Sequence, residues 1–200
     1  MYPMYAEILF NLVVIIGCFA IVVTLLYLAQ KAWCYLFGYK AIYFTGWIGT
    51  PVHELSHALV AILFGFKIIS ISLFKPEPGT GVLGYVEYQY NNKSLLHNVG
   101  CFWVGVAPLL GNIGLAALIW FVVAGGGQGG ILQTAVVSYV CFALILHAAP
   151  STQDLHNALP GLVTAIIAFI PITYLYPEAV LDLTREIILR SIGMLPTLTI

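Results

Sequence analysis

Charged residues are scarce in this sequence of 200 residues. Only 8% of the residues are Asp, Glu, Lys or Arg, whereas 61% are hydrophobic. Soluble domains carry roughly 25% charged residues, so this composition excludes an ordinary soluble domain and predicts an integral membrane protein in a lipid bilayer. The formal net charge is −1 and the basic residues form no cluster. This argues against nucleic acid as a partner and against docking on anionic lipid headgroups.

Cysteine is also sparse. The four cysteines lie far apart and form no CxxC pair: Cys18, Cys34, Cys101 and Cys141. We therefore expect small buried hydrophobic side chains rather than disulfides or metal ligands. The basic n-region of a secretory signal peptide is also lacking, because Glu7 stands in its place and the apolar run after it is too long. We expect no cleaved leader here.

Long apolar runs dominate the chain and predict about five transmembrane helices, in a multi-pass protein. The first run, residues 8–29, is long enough to cross a bilayer at about 1.5 Å per residue. Residues 31–40, which include several aromatic side chains, are expected to form an interfacial turn. The other predicted spans are residues 41–66, 95–124, 131–148 and about 161–176, with a glycine-rich turn at 125–130.

Two segments depart from this pattern. Residues 67–90 contain two stretches of alternating polarity around turn-forming Pro and Gly residues, which predicts a β-hairpin; the alternative is a loop that covers the ends of the spans. Near the C-terminus, charged residues recur every four positions: Glu178, Asp182, Glu186 and Arg190. This spacing predicts an amphipathic helix rather than a sixth span. The sequence thus predicts an all-α membrane protein with one small hairpin, in a single domain covering residues 1–200.

The second predicted span contains the sequence His53-Glu54-Leu55-Ser56-His57. Two histidines four residues apart lie on one face of a helix, so both imidazoles can bind one Zn²⁺, and Glu54 can reach a water molecule on that metal. The alternative is a set of polar residues at a helix contact, but an unpartnered ionisable residue in a span is costly. Thr50-Pro51 predicts a kink or a restart of the helix, which would admit water.

A catalytic zinc ion usually has a third protein ligand, and we expect Asp154 to supply it. Residues 150–157 are polar and predict an unwound segment that turns inward, at a depth where protein or water must cover the backbone. A different interpretation is that Asp154 caps the last membrane helix, because Ser151 stands three residues before it. Other candidates for the third ligand are Glu87, His97, His147 and His156.

Several features of this chain occur together: the motif within a span, a hairpin after it, a later span with Pro108 and Asn112, and a distal Asp154. The combination resembles the site-2 protease family of intramembrane zinc metalloproteases, over about residues 44–160. The Asp of that family is often followed by Gly, whereas Leu155 follows it here.

The resemblance implies an activity and the residues that carry it. It implies that His53, His57 and Asp154 bind Zn²⁺. Glu54 would be the general base, and the substrate would be a membrane-spanning protein cleaved within or near its transmembrane segment. The hairpin could hold the unwound substrate in an extended conformation. Asn112 is a candidate substrate-binding residue, and an interhelical hydrogen bond is its alternative role.

Two other classes of protein fit the sequence. One is a membrane protein that binds zinc without proteolysis, or a small transporter that uses the same polar residues. A closed site with four protein ligands would favour that class, whereas an open site would favour the protease. The other is a different HExxH membrane protease, such as a prenyl-protein endopeptidase, which takes a Glu ligand. No Glu follows the motif within a returning span, so this class fits less well.

Overall fold

The computed structural model describes residues 2–38, 40–77, 81–124 and 130–193. Most of these residues are helical, and a two-stranded antiparallel sheet lies between the second and third helices. The elements follow in the order α1 (Tyr2–Phe37), α2 (Ala41–Leu63), β1 (Lys67–Ser72), β2 (Tyr85–Gln89), α3 (Leu95–Ile119), α4 (Ile131–Leu146), α5 (Thr152–Leu175) and α6 (Pro177–Ser191). The predicted fold class is confirmed.

Contacts between residues divide the chain into two compact units. One unit contains residues 1–24 and 165–200, and the other contains residues 25–164. The motif, the hairpin and Asp154 all belong to the second unit. The prediction of a single domain over residues 1–200 stays a prediction.

Among the residues that the structure describes, three helices are long and apolar enough to cross a membrane: Met4–Phe37, Leu95–Val123 and Thr152–Leu175. The prediction of about five spans also included α2 and α4. The 16 residues of α4 extend about 24 Å, which is less than the ~30 Å hydrocarbon core. The 23 residues of α2 are numerous enough, but its polar motif lowers its hydropathy.

The first helix is longer than the sequence suggested. Residues 31–37 continue α1, so the predicted interfacial turn at 31–40 is wrong for most of its length. The helix ends before Gly38, whose φ of +79° lies in a region that glycine adopts without steric cost. The indole N–H of Trp33 donates to the carbonyl of Ala41 at 3.3 Å and so connects the end of α1 with the start of α2.

The second helix continues through Pro51 without ending, so the helix does not restart there. The kink given as the other possibility stays a prediction. A proline inside a helix removes one backbone hydrogen bond, but α2 packs against both α3 and α4 in this region. One cluster of their side chains contains Ile48 and Val52 from α2. The same core buries Cys141, and a neighbouring cluster buries Cys101. Burial was predicted for every cysteine and is wrong for Cys18, which is exposed.

The predicted hairpin is present. β1 and β2 pair antiparallel, with Ile71 opposite Val86 and Ile68 opposite Tyr88. At its open end, Phe66 stacks on Tyr90 with ring centroids 5.2 Å apart. These aromatic contacts hold the strands next to the end of α2.

The loop between the strands folds back over α2. The N–H of Lys75 donates to the carbonyl of Leu83 at 2.7 Å. A Cβ atom placed on Gly46 of α2 would lie 3.1 Å from the ring of Phe74 and 3.3 Å from the side chain of Leu83. Glycine at position 46 therefore lets the loop lie close to the helix that carries the motif. The tip of this loop, and the predicted glycine-rich turn except for Gly130, lie outside the described residues.

The first unit contains the predicted amphipathic helix α6. Its buried face, with Val180 and Leu181, packs against Ile8 of α1. A polar contact also joins these two helices: the side-chain amide of Asn11 in α1 donates to the hydroxyl of Thr184 in α6 at 3.1 Å. The carboxylate of Glu7 also forms an ion pair with Arg185.

Candidate metal centre

The two histidines of the motif face each other on α2. Their ring centroids are 4.9 Å apart, and their Nε2 atoms are 3.2 Å apart. His57 is buried and His53 is half-buried. The helical spacing of four residues thus places both Nε2 atoms next to one point, as the sequence predicted.

Backbone carbonyls orient both imidazole rings. Nδ1 of His53 lies 2.8 Å from the carbonyl oxygen of His147, and Nδ1 of His57 lies 2.7 Å from that of Val104. A carbonyl oxygen only accepts, so each Nδ1 carries a hydrogen, and the neutral form of each ring presents the lone pair of Nε2. The tautomer that these contacts select is the one that binds a metal through Nε2.

The first turn of α5 brings a carboxylate to these lone pairs. α4 ends at Leu146, residues 147–151 are not helical, and α5 begins at Thr152. The prediction of an unwound segment at 150–157 is therefore wrong for most of its length, because Asp154 lies in the first turn of a helix. Oδ1 of Asp154 is 3.3 Å from Nε2 of His57, and Oδ2 is 3.6 Å from Nε2 of His53.

Asp154 also caps α5. Its N–H donates to Oγ of Ser151 at 3.1 Å, and its Oδ2 accepts from the N–H of Ser151 at 2.7 Å. This reciprocal pair is a capping box. It explains why α5 begins at Thr152, inside the segment that was predicted to be unwound. The sequence left the cap and the approach to the histidines as alternatives, and in the structure both occur at once.

The three side chains fit a zinc ion. Their donor atoms all lie within 4.8 Å of one another. Ligand atoms 2.0–2.1 Å from zinc at tetrahedral angles are about 3.3 Å apart. The two Nε2 atoms are 3.2 Å apart, and each has one oxygen of Asp154 at a similar distance, Oδ1 at 3.3 Å from His57 and Oδ2 at 3.6 Å from His53. Two imidazole lone pairs and a carboxylate at these distances repel one another unless a cation or a proton lies between them. The arrangement therefore suits a bound metal ion.

Glu54 lies beside the group formed by His53, His57 and Asp154 but is not part of it. Its side chain is buried, and it is not one of the residues whose donor atoms converge. The hairpin covers it, because a Cβ atom on Gly84 would lie 3.0 Å from Cγ of Glu54. The same Cβ atom would lie 2.7 Å from the carbonyl oxygen of Ser72. A carboxylate so placed is shielded from bulk water on the side of the hairpin.

The other candidate ligands lie elsewhere in the described part of the chain. The ring of His147 contacts Oγ1 of Thr45 at 3.0 Å, so this residue offers the histidine pair its carbonyl and not its imidazole. His97 accepts a backbone N–H from Asn91. Glu87 accepts from Ser70, and His156 is exposed.

Asn112 connects three helices. It is completely buried in α3, and its amide nitrogen donates to the carbonyls of Gly49 in α2, at 3.2 Å, and Leu144 in α4, at 3.1 Å. This geometry matches the interhelical role given as the alternative for this residue. Substrate binding by Asn112 stays a prediction.

A glycine in α3 permits the approach of Asp154. A Cβ atom on Gly105 would lie 2.6 Å from Cβ of Ala158 and 2.7 Å from the carbonyl oxygen of Asp154. Real Cβ atoms do not come this close to another atom, so a larger residue at position 105 must displace the first turns of α5. The separation between Asp154 and the histidines thus depends on Gly105.

Gly105→Ala is expected to weaken zinc binding about tenfold, because overpacking of this size costs about 1–3 kcal/mol and moves backbone. The measurement is the dissociation constant for zinc, by competition with a chelator in detergent. Gly114→Ala is the matched control, since the same substitution on the same helix meets no atom within 4 Å. Equal affinities in both variants would contradict the role of Gly105.

The fold and the site together define a class. The chain has helices of membrane-spanning length, and a His-His-Asp group lies beside a buried Glu, as in a metallopeptidase. Residues 14–87 match a family model described as Peptidase M50B-like. The match supports membership of the site-2 protease (M50) family, whose members are membrane-embedded and zinc-dependent, and it confirms the resemblance noted in the sequence. It includes the motif and most of the hairpin but not Asp154. No curated protein and no solved structure matches the chain.

Proposed function

We propose that this protein is an intramembrane zinc metalloendopeptidase. It hydrolyses a peptide bond within or near the transmembrane segment of a membrane protein substrate. The observation that carries the proposal is the convergence of His53, His57 and Asp154 on one point beside the buried Glu54. Its supporting context is the match to a family of membrane metallopeptidases.

His53, His57 and Asp154 would hold the metal. When bound, zinc polarises the scissile carbonyl and makes a coordinated water more acidic. The carbonyls of Val104 and His147 keep both Nε2 lone pairs directed at the metal position, and the capping contact with Ser151 holds the carboxylate of Asp154. These contacts fix the donor geometry before substrate arrives.

Glu54 moves the proton. Its carboxylate takes a proton from the attacking water and gives it to the amine nitrogen as the C–N bond breaks. This role requires a carboxylate near the metal ligands that is not itself a ligand, which agrees with the position of Glu54 outside the converging group. The cover formed by Gly84 and the hairpin limits the access of bulk water to that carboxylate.

The substrate must unwind before it is cleaved. Carbonyls inside a helix are hydrogen-bonded along the backbone, so a transmembrane helix has to open locally to expose a scissile bond. The strands of the hairpin provide backbone groups on which an extended segment can pair. A membrane-spanning protein is therefore the partner that this site suits.

The alternative is a membrane protein that binds zinc without proteolysis. Such a protein is expected to have a closed site with four protein ligands. The converging group in the described part of the chain contains three side chains. Three protein ligands leave a coordination position for water, and this supports the peptidase over the alternative.

The test is cleavage of a single-span reporter by the purified protein in liposomes. We expect a chelator to stop cleavage and added zinc to restore it. The measured quantities are the initial rate of cleavage and the number of zinc ions per chain. A protein that retains one zinc per chain but cleaves none of a panel of single-span reporters would contradict the proposal and support the non-proteolytic alternative.

A further inference from the structure

A surface groove lies along the hairpin, next to the first turns of α5. Its volume is about 530 Å³. The residues that line it are Ile69, Val86, Glu87, Tyr88, Tyr90 and Asn157. Four of these six residues are aliphatic or aromatic, and one carries a carboxylate.

The groove adjoins the candidate metal centre. Asn157 lies three residues after Asp154 on α5, which is a rise of about 4.5 Å, and it lines the groove together with Tyr88. Residues three apart on a helix share a face. A peptide segment in this groove would therefore lie within a few residues of a scissile bond held at the metal site.

Glu87 is the acidic group of this groove. One of its oxygens accepts from the hydroxyl of Ser70 at 2.6 Å, and the side chain is exposed. Among the described residues no Lys, Arg or His lies within ion-pair distance of it, although Lys67 stands on the adjacent strand opposite Gln89. Tyr88 does not add a second negative charge, because burial raises its pKa to about 12.

We propose that Glu87 selects substrates with a lysine or arginine close to the scissile bond. This inference rests on the proposed function and names the chemistry of the substrate segment. The long side chain of the basic residue lies along the groove, and its charged end pairs with the free oxygen of Glu87.

Part of the lining suits such a side chain. Lysine and arginine carry methylene stems that pack on apolar surface while the charge stays near water, and the exposed side chain of Ile69 provides apolar surface in the groove. Glu87 shares its face of the sheet with Ser70, so a basic residue that pairs with Glu87 lies on that exposed face. A lysine or arginine is also what a membrane-spanning substrate commonly carries next to the end of its span.

The experiment changes the charge on the substrate and the charge at position 87 of the enzyme. Single-span reporters carry Lys, Gln or Glu at successive positions near the cleaved bond, and kcat/KM is measured for the zinc-loaded wild type, Glu87→Gln and Glu87→Lys. We expect the wild type to favour the best Lys reporter about fivefold over its Glu counterpart, which is the size that an exposed ion pair supports. Glu87→Gln should remove the preference, and Glu87→Lys should reverse it.

Glu178→Lys is the matched control. It makes the same charge change on α6, outside the groove, and should keep the preference of the wild type. Zinc content checks that each variant is folded. The inference would be overturned if Glu87→Lys preferred the same reporters as the wild type, or if the wild type cleaved the Lys, Gln and Glu reporters equally well. Either result would leave the proposed peptidase activity unaffected. A zinc-loaded wild type that cleaves no reporter would overturn both.

Discussion

Glu54→Gln is expected to abolish cleavage while zinc binding stays at the level of the wild type. The amide cannot accept the proton of the attacking water, and loss of a general base lowers rates by at least about a hundredfold. Glutamine has nearly the same shape, so the contact of this side chain with the backbone at Gly84 is preserved. The measurement is kcat on a single-span reporter together with zinc stoichiometry.

Glu178→Gln, the same change on α6, is the control and should cleave as the wild type does. Two results would contradict the assignment in different ways. Cleavage that survives in Glu54→Gln would show that another group carries the proton. Loss of zinc from this variant would indicate that Glu54 is a ligand or is needed for folding, because replacing a residue that does not bind the metal should leave the metal content unchanged.

The part of the site that sequence predicted best depends on local geometry. His53 and His57 are four residues apart on one helix, and helical spacing alone brings their rings together. The hairpin and α6 were predictable for the same reason, because alternation and four-residue spacing are local patterns. Asp154 was harder to predict, since it lies 97 positions after His57 in the chain. Its polar surroundings and its resemblance to a family motif singled it out.

Other features of the site had no pattern in the sequence. The carbonyls of Val104 and His147 orient the histidines, but every residue has a carbonyl, so nothing distinguishes these two before folding. Gly105 is one of 19 glycines, and its importance depends on which helix lies against it. The unwound segment was misplaced for a related reason. The polar residues after Pro150 were interpreted as breaking the helix, whereas Ser151 and Asp154 use their polarity to start one.

Asp154→Ala is expected to remove most of the zinc and all measurable cleavage. The substitution leaves two imidazoles as protein ligands, and the negative charge that offsets the metal is lost. The same change also removes one of the two hydrogen bonds that cap α5, because Oδ2 accepts from the N–H of Ser151, whereas the N–H of residue 154 can still donate to Oγ of Ser151. Loss of a capping contact costs about 0.5–2 kcal/mol of stability. A lower thermal midpoint alone therefore does not identify the ligand role, and zinc stoichiometry must be measured with it.

Two further variants separate the ligand role from the cap. Ser151→Ala removes the hydroxyl that accepts from the N–H of Asp154 and keeps the carboxylate, so it should lower the thermal midpoint of the zinc-free protein and retain zinc. Asp154→Asn keeps an oxygen that can accept from Ser151 and lacks the charge, so it should keep much of the stability and bind zinc weakly. If Asp154 only capped α5, Ser151→Ala and Asp154→Ala would instead lose similar stability, and both would stay fully metallated and active.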